Sequence, residues 1–442
     1  MNSDKLRRDI PISIYPPIML YNKKDAKDLF TPLKDSTSKA SIYIHIPFCP
    51  RKCDFCYFTS FSAGMGKVQA YISKLCEEIA YIGTKEVIKN KVIDSIYIGG
   101  GTPTYISKEC FIQLFSSIRE HFNLSKDIEI SVEVRPGNEA TVEKLQFLKS
   151  AGVNRISIGM QSFNDTVLRA NGRNCSVNDG IELINKLNQL GFDNYNIDIM
   201  SGMLLETKDS WNHTINQLLK ISPANVTVYK MQLYENSKLT QYCRENGINT
   251  MTEEQELTFT RHFYDVLLGN GYELMSSTYS FSKGSQYVSK YRQYRNTGED
   301  LIALGIASNG ILNGCVYQKT YEMDSYMDNN FEPTSAYRMS DDEIILRGII
   351  LGMKCGNIDR AKFEKKFKVE PYEHYAQFRE MENLGFVNVT PDSIKVSYDL
   401  VFFIDDLIRT FFMPEKIKNM ENLMLKYKNF DFGGVNNEHR MG

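Results

Sequence analysis

The chain of 442 residues is 42% hydrophobic and 24% charged, with a formal net charge of −2. These are ordinary values for a globular protein able to bury more than one core, and the near balance of Lys+Arg and Asp+Glu gives no electrostatic case for nucleic acid or an anionic membrane as main partner. No run is long and apolar enough to span a bilayer, the first nine residues lack the apolar core of a signal peptide, and the nine cysteines are an odd number; the expectation is a reducing, cytoplasmic setting without a disulfide framework.

From about residue 40, β-branched runs alternate with longer amphipathic stretches. Strands are predicted at 41–46, 95–98, 128–134, 155–158, 195–199, 226–229 and 272–275. Helices are predicted between them at 68–82, 108–122, 143–151, 177–190 and 210–220. Repeated β–α units of this length imply a parallel sheet with helices outside, doubly wound or a full or partial barrel, with ligands at the C-terminal strand ends. After about residue 335 the pattern changes. Ser340-Asp-Asp-Glu343 has the form of a capping box, opening a helix through Met353. Further helices are predicted at 359–367 and 372–384, then a hairpin of 386–389 and 394–397. Helices followed by a small hairpin suggest a winged-helix-like appendage, and without clustered basic residues it is expected to pack over the main site and not to bind DNA. The polar, Asn-rich tail from about Lys416 is expected to be helical and then loose.

Three cysteines, Cys49, Cys53 and Cys56, lie in His45-Ile-Pro-Phe-Cys-Pro-Arg-Lys-Cys-Asp-Phe-Cys-Tyr-Phe58, just past the first strand. A structural zinc normally closes with four protein ligands, and a four-iron cluster takes one ligand per iron. Three cysteines with no obvious fourth partner suggest a cluster whose last iron is open to a small molecule. Cys76, Cys110, Cys175, Cys243, Cys315 and Cys355 are scattered singly, as small buried hydrophobes would be. The run Gly99-Gly-Gly-Thr-Pro103 follows a strand and lets backbone approach a ligand closely; it is no phosphate loop. Glu133, Gln161, Asp198 and Arg173 share an address at strand ends or the loops after them. Acidic groups there suit ribose hydroxyls or an ammonium, and arginine suits a carboxylate.

Together, Tyr43-x-His45-Ile-Pro-Phe-Cys-x3-Cys-x-Phe-Cys56, Gly99-Gly-Gly-Thr-Pro103, Glu133, Gly159-Met-Gln-Ser-Phe163, Asn171-Gly-Arg173 and Asp198 resemble the radical S-adenosylmethionine superfamily. The specific likeness is to its oxygen-independent coproporphyrinogen III oxidase-like (HemN-like) branch, over roughly residues 38 to 410. The resemblance implies an α/β fold, a partial (β/α)6 barrel with a C-terminal winged-helix-like α+β domain. It divides the chain into an N-terminal extension (1–37), the barrel (38–270), a connecting and substrate-pocket segment (271–335), the C-terminal domain (336–415) and a tail (416–442). It also implies a [4Fe-4S] cluster on Cys49, Cys53 and Cys56. S-adenosylmethionine would sit on the open iron, and its reduction would give a 5′-deoxyadenosyl radical. By the same carry-over the backbone of Gly99, Gly100, Gly101 and Thr102 faces the methionine amine, Arg173 its carboxylate and Asp198 the ribose, while Phe55 packs against cluster and adenine. Tyr43, His45 and Glu133, the candidate catalytic residues, complete the cofactor shell with Gln161. The bland reading of His45 is a strand-end hydrogen bond that orders the cluster loop.

The chain departs from the branch's oxidase, whose cluster motif ends in Cys-Gly-Cys where this sequence has Cys56-Tyr-Phe. It departs from the branch's haem chaperones too, since 287–296 holds no histidine or tryptophan and the one Trp is Trp211. The family's Gly-Leu-Pro has become Gly202-Met-Leu204. What these departures leave is the class C type within the branch. The expected activity is therefore transfer of an S-adenosylmethionine-derived carbon, as methylation or cyclopropanation, to an sp2 carbon of an unsaturated small molecule, using two S-adenosylmethionine molecules. Tyr279, Phe281, Tyr287, Tyr291 and Tyr294 line its pocket or merely pack. The alternatives are coproporphyrinogen III decarboxylation, anaerobic haem degradation by methyl transfer, and haem carriage. The expected partners are the substrate and an external electron donor such as flavodoxin or ferredoxin, with no nucleic acid or membrane, the protein being a monomer.

Overall fold

Six strands follow one another at the expected places: β1 (Lys39–Ile46), β2 (Val92–Gly100), β3 (Asn123–Val134), β4 (Arg155–Gln161), β5 (Tyr195–Ser201) and β6 (Asn225–Lys230). The computed structural model describes residues 15–16, 20–31, 38–234, 237–275, 277–328 and 331–412, and the tail expectation for 416–442 lies outside them. Each strand pairs in parallel with the next, and helices Met65–Gly83, Lys108–His121, Val142–Ser150, Val177–Gln189 and Lys208–Ile221 make the crossovers. Local chemistry starts these helices: Ser107 and Thr141 cap two of them by accepting backbone N–H bonds, and Ser176 and Thr207 open full capping boxes.

The two faces of the strands differ in kind. Ile42, Ile44, Ile96, Ile98, Val132, Ile156, Ile158, Ile197 and Ile199 are all 0% exposed under the helices, each contributing about 1.5–3 kcal/mol. Their neighbours of opposite parity are Ser41, Tyr43, His45, Ser95, Tyr97, Glu129, Ser131, Glu133, Ser157, Asn196, Asp198, Thr227 and Tyr229. Strand alternation turns these to the other face. A packed barrel core would be filled with branched apolar residues; this one is lined with hydrogen-bonding groups.

The connecting segment is more structured than expected. After the helix Glu253–Gly269, the strand expected at 272–275 is reduced to β7 (Glu273–Leu274), which pairs antiparallel with β8 (Ser280–Ser282), and β8 with β6. On the opposite flank β9 (Asp300–Leu304) pairs in parallel with β1. It is followed by antiparallel β10 (Asn309–Leu312), β11 (Cys315–Gln318) and β12 (Ser335–Arg338). The result is one open sheet of order β12-β11-β10-β9-β1-β2-β3-β4-β5-β6-β8-β7. Buried ion pairs fix this addition: Lys91–Asp300 at 2.6 Å and Lys319–Glu78 at 2.8 Å.

Beyond it, the capping box at Ser340 opens helix Asp341–Lys354 as expected. The expected hairpin is present as β14 (Val387–Val389) and β15 (Ser393–Val396), joined by an unforeseen β13 (Asn357–Asp359). The helix expected over 372–384 is two pieces, Pro371–His374 and Gln377–Asn383. Tyr375 leaves the helix in an extended conformation and packs edge-on against Phe411, ring centroids 5.6 Å apart.

Candidate active site

The cysteine loop is held from several sides. Cys49 N–H donates to Phe61 O at 3.1 Å and Phe61 N–H to Pro47 O at 2.7 Å, while Lys52 Nζ reaches Phe58 O at 2.8 Å. The amides of Gly101 and Thr102 donate to Ile46 O and Phe48 O, stitching the glycine run to the same loop. His45, 3% exposed, ties strand to loop with both ring nitrogens: Nε2–H donates to Thr59 O at 3.1 Å, so Nδ1 accepts from Tyr43 Oη at 2.9 Å. Burial lowers His45 to about 4, which keeps the ring neutral. In this arrangement it positions the loop.

The run Asn171-Gly-Arg173 explains itself in three dimensions. The Asn171 side chain, fully buried, donates to Val167 O and Leu204 O and accepts from Leu204 N–H, and its carbonyl accepts from Asp54 N–H in the cysteine loop. Gly172 has φ +70, and a Cβ there would meet the Asp54 carboxyl at 2.3 Å. Arg173 then lays Nη1 3.5 Å from Cys53 Sγ and bonds Gly159 O through Nη2, leaving its buried Nε without a partner. Phe55 packs on an apolar cluster of Val167, Met203, Leu204, Met231, Leu239 and Cys243.

Glu133 closes the other side. It accepts from Tyr97 Oη at 2.7 Å and Gly100 N–H at 3.0 Å, and burial raises it to about 7. With the amides of Gly100, Gly101 and Thr102 all used within the protein, those residues offer a ligand carbonyl acceptors, which suit an ammonium. Gly100 has φ +114, and a Cβ there would meet the His45 ring at 2.7 Å; at Gly101 one would meet Cys49 Sγ at 3.0 Å. Gln161 holds φ +75 with Oε1 buried and unpaired, backbone strain of the kind found at ligand sites. Asp198 accepts from Asn196 Nδ2 at 2.8 Å and Ser157 Oγ at 3.4 Å, and burial raises it. Every residue expected at the site thus lies on the polar strand face or in the loops bonded to it.

Sequence reasoning passed over Tyr97, Tyr229, Arg292 and Arg295. Tyr97 was legible from the β2 alternation. Its ring stacks on Tyr291 at 4.5 Å and on Tyr43 at 6.2 Å. Tyr291 arrives on helix Lys290–Thr297, whose start is held by Glu129 accepting from Ser289 Oγ, Lys290 N–H and Tyr291 N–H. Of the aromatic insert, Tyr291 joins the interior and Phe281 is core against Tyr264. Tyr294 bonds Asp94 and Tyr279 stands exposed by Tyr229.

Residues 43–218 match the family model of the radical SAM superfamily. This segment is a radical SAM domain. The chain is similar to proteins of that superfamily's HemN-like branch. It is 25% identical over 377 residues to the oxygen-independent coproporphyrinogen III oxidase of Escherichia coli, covering 81% of this chain and 82% of that one. It is 28% identical over 336 residues to the haem chaperone HemW of Bacillus subtilis, covering 74% and 86%. The solved structure of the E. coli oxidase superposes with a TM-score of 0.76 at 22% identity, covering 90% of this chain and 96% of that one, which shows the α/β radical SAM fold. No helix among the described residues is long and apolar enough to cross a membrane.

A radical SAM domain implies a [4Fe-4S] cluster and S-adenosylmethionine, and the residues present fit both. Among the described residues no group of three or more His, Cys, Asp or Glu is drawn together as for a single metal ion; a cluster asks only one thiolate per iron. All three loop cysteines are free and partly accessible. Burial pushes the Cys56 thiol up to about 11, so its thiolate form needs the charge of a bound metal group. The unpartnered Arg173 Nε and Gln161 Oε1 supply a donor and an acceptor for a polar ligand beside that loop.

Proposed function

We propose that the protein is a radical SAM enzyme that oxidises a porphyrinogen-type tetrapyrrole, with oxidative decarboxylation of coproporphyrinogen III as its reaction and an external one-electron acceptor taking the electron left when carbon dioxide departs. The observation that carries this reading is the barrel interior, where Tyr43, Tyr97 and Tyr291 form a stacked aromatic wall between the cysteine loop and Glu133. Such a wall suits a large, partly apolar ring system. The relatives named as coproporphyrinogen oxidases, matched over most of their length, support it.

In this reading Cys49, Cys53 and Cys56 hold the cluster, and Arg173 and Asp198 hold the carboxylate and ribose of S-adenosylmethionine, with Gln161 beside them. When bound, the two groups supply a 5′-deoxyadenosyl radical for hydrogen abstraction. His45 keeps the loop fixed against β1, and the wall keeps water from the substrate face. Glu133, poised near 7 beside Tyr97, takes or returns a proton at its Oε1.

A second reading, transfer of a carbon from a second S-adenosylmethionine to an sp2 carbon, is favoured by the loop's own sequence. Where the oxidase motif continues Gly-Cys, Tyr57 and Phe58 stand half-exposed and stacked at 4.3 Å, with Tyr234 at 4.2 Å from Tyr57. Haem carriage is less well served, because the histidine-free 287–296 region is spent on the helix that completes the barrel. One anaerobic experiment separates the readings. Reconstituted protein is given reductant, methyl-labelled S-adenosylmethionine and carboxyl-labelled coproporphyrinogen III. Labelled carbon dioxide with deoxyadenosine supports oxidation; methyl label in a tetrapyrrole supports carbon transfer. Stoichiometric haem binding without turnover of either would overturn both.

A further inference from the structure

Three arginines lie on two contacting helices beside the aromatic wall, and among the described residues none of them forms an ion pair. Arg292 and Arg295 stand one turn apart on helix Lys290–Thr297, and Arg347 comes from helix Asp341–Lys354. Arg292 donates through Nη2 to Tyr229 Oη at 2.8 Å and through Nη1 to Ser280 Oγ, its guanidinium 5.6 Å from the Tyr279 ring. All these partners are neutral. Asp198 acts on it only through space. Arg347 donates Nη1 to Tyr15 O at 2.7 Å, while its Nε is buried with no acceptor at all. Burial holds Arg347 down to about 10, Tyr21 opposes this, and the nearby charge of Arg295 lowers it further.

Arg295 is exposed and Arg292 and Arg347 are half-buried, but the Arg347 Nε is buried without an acceptor and no described acid touches the three guanidinium groups, an arrangement that an anion would answer. The helix bearing two of them is not loosely placed. Glu129 caps it, and Lys290 Nζ adds a bond to Asp94 at 3.1 Å. The acidic groups in contact with this helix hold its start, whereas Asp198 and Glu133 meet Arg292 only through space. A guanidinium fork matches a carboxylate in shape and offers paired donors. We infer that Arg292, Arg295 and Arg347 form a carboxylate clamp on the side of the barrel closed by helix Lys290–Thr297, receiving the ionised acid groups of the molecule bound against Tyr291. This deepens the porphyrinogen reading and rests on it for the identity of that molecule. The same chemistry is offered by the methionine end of a second S-adenosylmethionine, so the test carries both.

The probes are coproporphyrin III, which bears the same side-chain acids in a stable ring, its methyl ester, and S-adenosylmethionine. Each is titrated onto reconstituted holoprotein by fluorescence quenching or equilibrium dialysis. Arg295→Gln changes an exposed side chain and Arg347→Gln a half-buried one; cluster absorbance and melting temperature report whether each variant is intact. Each variant is expected to weaken coproporphyrin III binding about tenfold or more, the loss of one charged hydrogen bond, and to leave the ester unchanged. Loss of one equivalent of S-adenosylmethionine, with coproporphyrin unaffected, would instead place the methionine carboxylate in the clamp. Intact Arg295→Gln protein with both affinities unchanged overturns the clamp. Wild-type protein that ignores coproporphyrin III sinks the porphyrinogen reading alone, and the S-adenosylmethionine arm then decides the clamp.

Discussion

Single side chains at this site are constrained more by what touches them than by their chemical class. Cys49, Cys53 and Cys56 are one type with one predicted fate: alanine at any of them is expected to abolish the brown chromophore and deoxyadenosine formation. Cys243→Ala, in the apolar cluster that supports Phe55, should keep both and cost only about 1 kcal/mol of stability. Glu133 gives a pH signature in protein without added S-adenosylmethionine. Its folded value is raised from 4.5 to about 7, chiefly by burial. Between those values the unfolded chain binds fewer protons, so stability falls as pH rises through that window and is level above it. The loss is at most about 3 kcal/mol. Thermal melts of Glu133→Gln should lack this fall, with the variant gaining on wild type at pH 8 relative to pH 5. An unchanged pH profile would show that Glu133 titrates normally. Cys49, Cys53 and Cys56 stood out in the sequence because their spacing brings three thiols into one short loop, and that loop is the one bonded to Pro47, Phe61 and Asn171. Tyr97 and Arg292 were not singled out, since a tyrosine in a strand and an arginine in a helix are commonplace until their neighbours are known.

At the level of elements, the segment after β4 and the glycine run after β2 act as clamps on one loop. Gly172 tests this directly, with Gly247 as its control. Both have positive φ, +70 and +62, so alanine at either bears the left-handed penalty of about 1 kcal/mol. Only Gly172→Ala also drives a methyl into Asp54, whereas nothing lies within 4 Å at Gly247. Iron content after reconstitution should drop severalfold in Gly172→Ala and stay at wild-type level in Gly247→Ala; equal losses would remove the clamp from the account. The β–α alternation was legible because the strands show isoleucine or valine at every second place and four of the five crossover helices begin with a capping side chain, Met65–Gly83 being the exception. The short strands β9 to β12 escaped notice for a physical reason. β9 is buried throughout, so its sequence shows no alternation, and its parallel partner β1 lies about 260 residues earlier in the chain, Ala40 pairing with Asp300.

On the scale of the whole molecule, a strand addition on each flank and one helix turn a six-stranded sheet into an enclosed site. Lys319 on the loop after β11 and Glu78 on helix Met65–Gly83 are 3% and 0% exposed as side chains. Glu78 also accepts from Gly305 N–H at 2.8 Å and Tyr326 Oη at 2.7 Å. Lys319→Met leaves that carboxylate buried without its cation and should cost about 3–5 kcal/mol in denaturant unfolding. A loss under 1 kcal/mol would mean the flank is held by strand pairing alone. The sequence by itself pointed to the chemistry of initiation and determined the class of fold, because cysteine spacing and strand periodicity are local properties written in consecutive residues. The tertiary structure alone decided what surrounds that chemistry. The aromatic wall joins residues 43, 97 and 291, and the arginines without an acid in contact are residues 292, 295 and 347. Contacts between segments so far apart along the chain exist only once the sheet has curled and the helix at Lys290 has been drawn against it, and no local pattern encodes them.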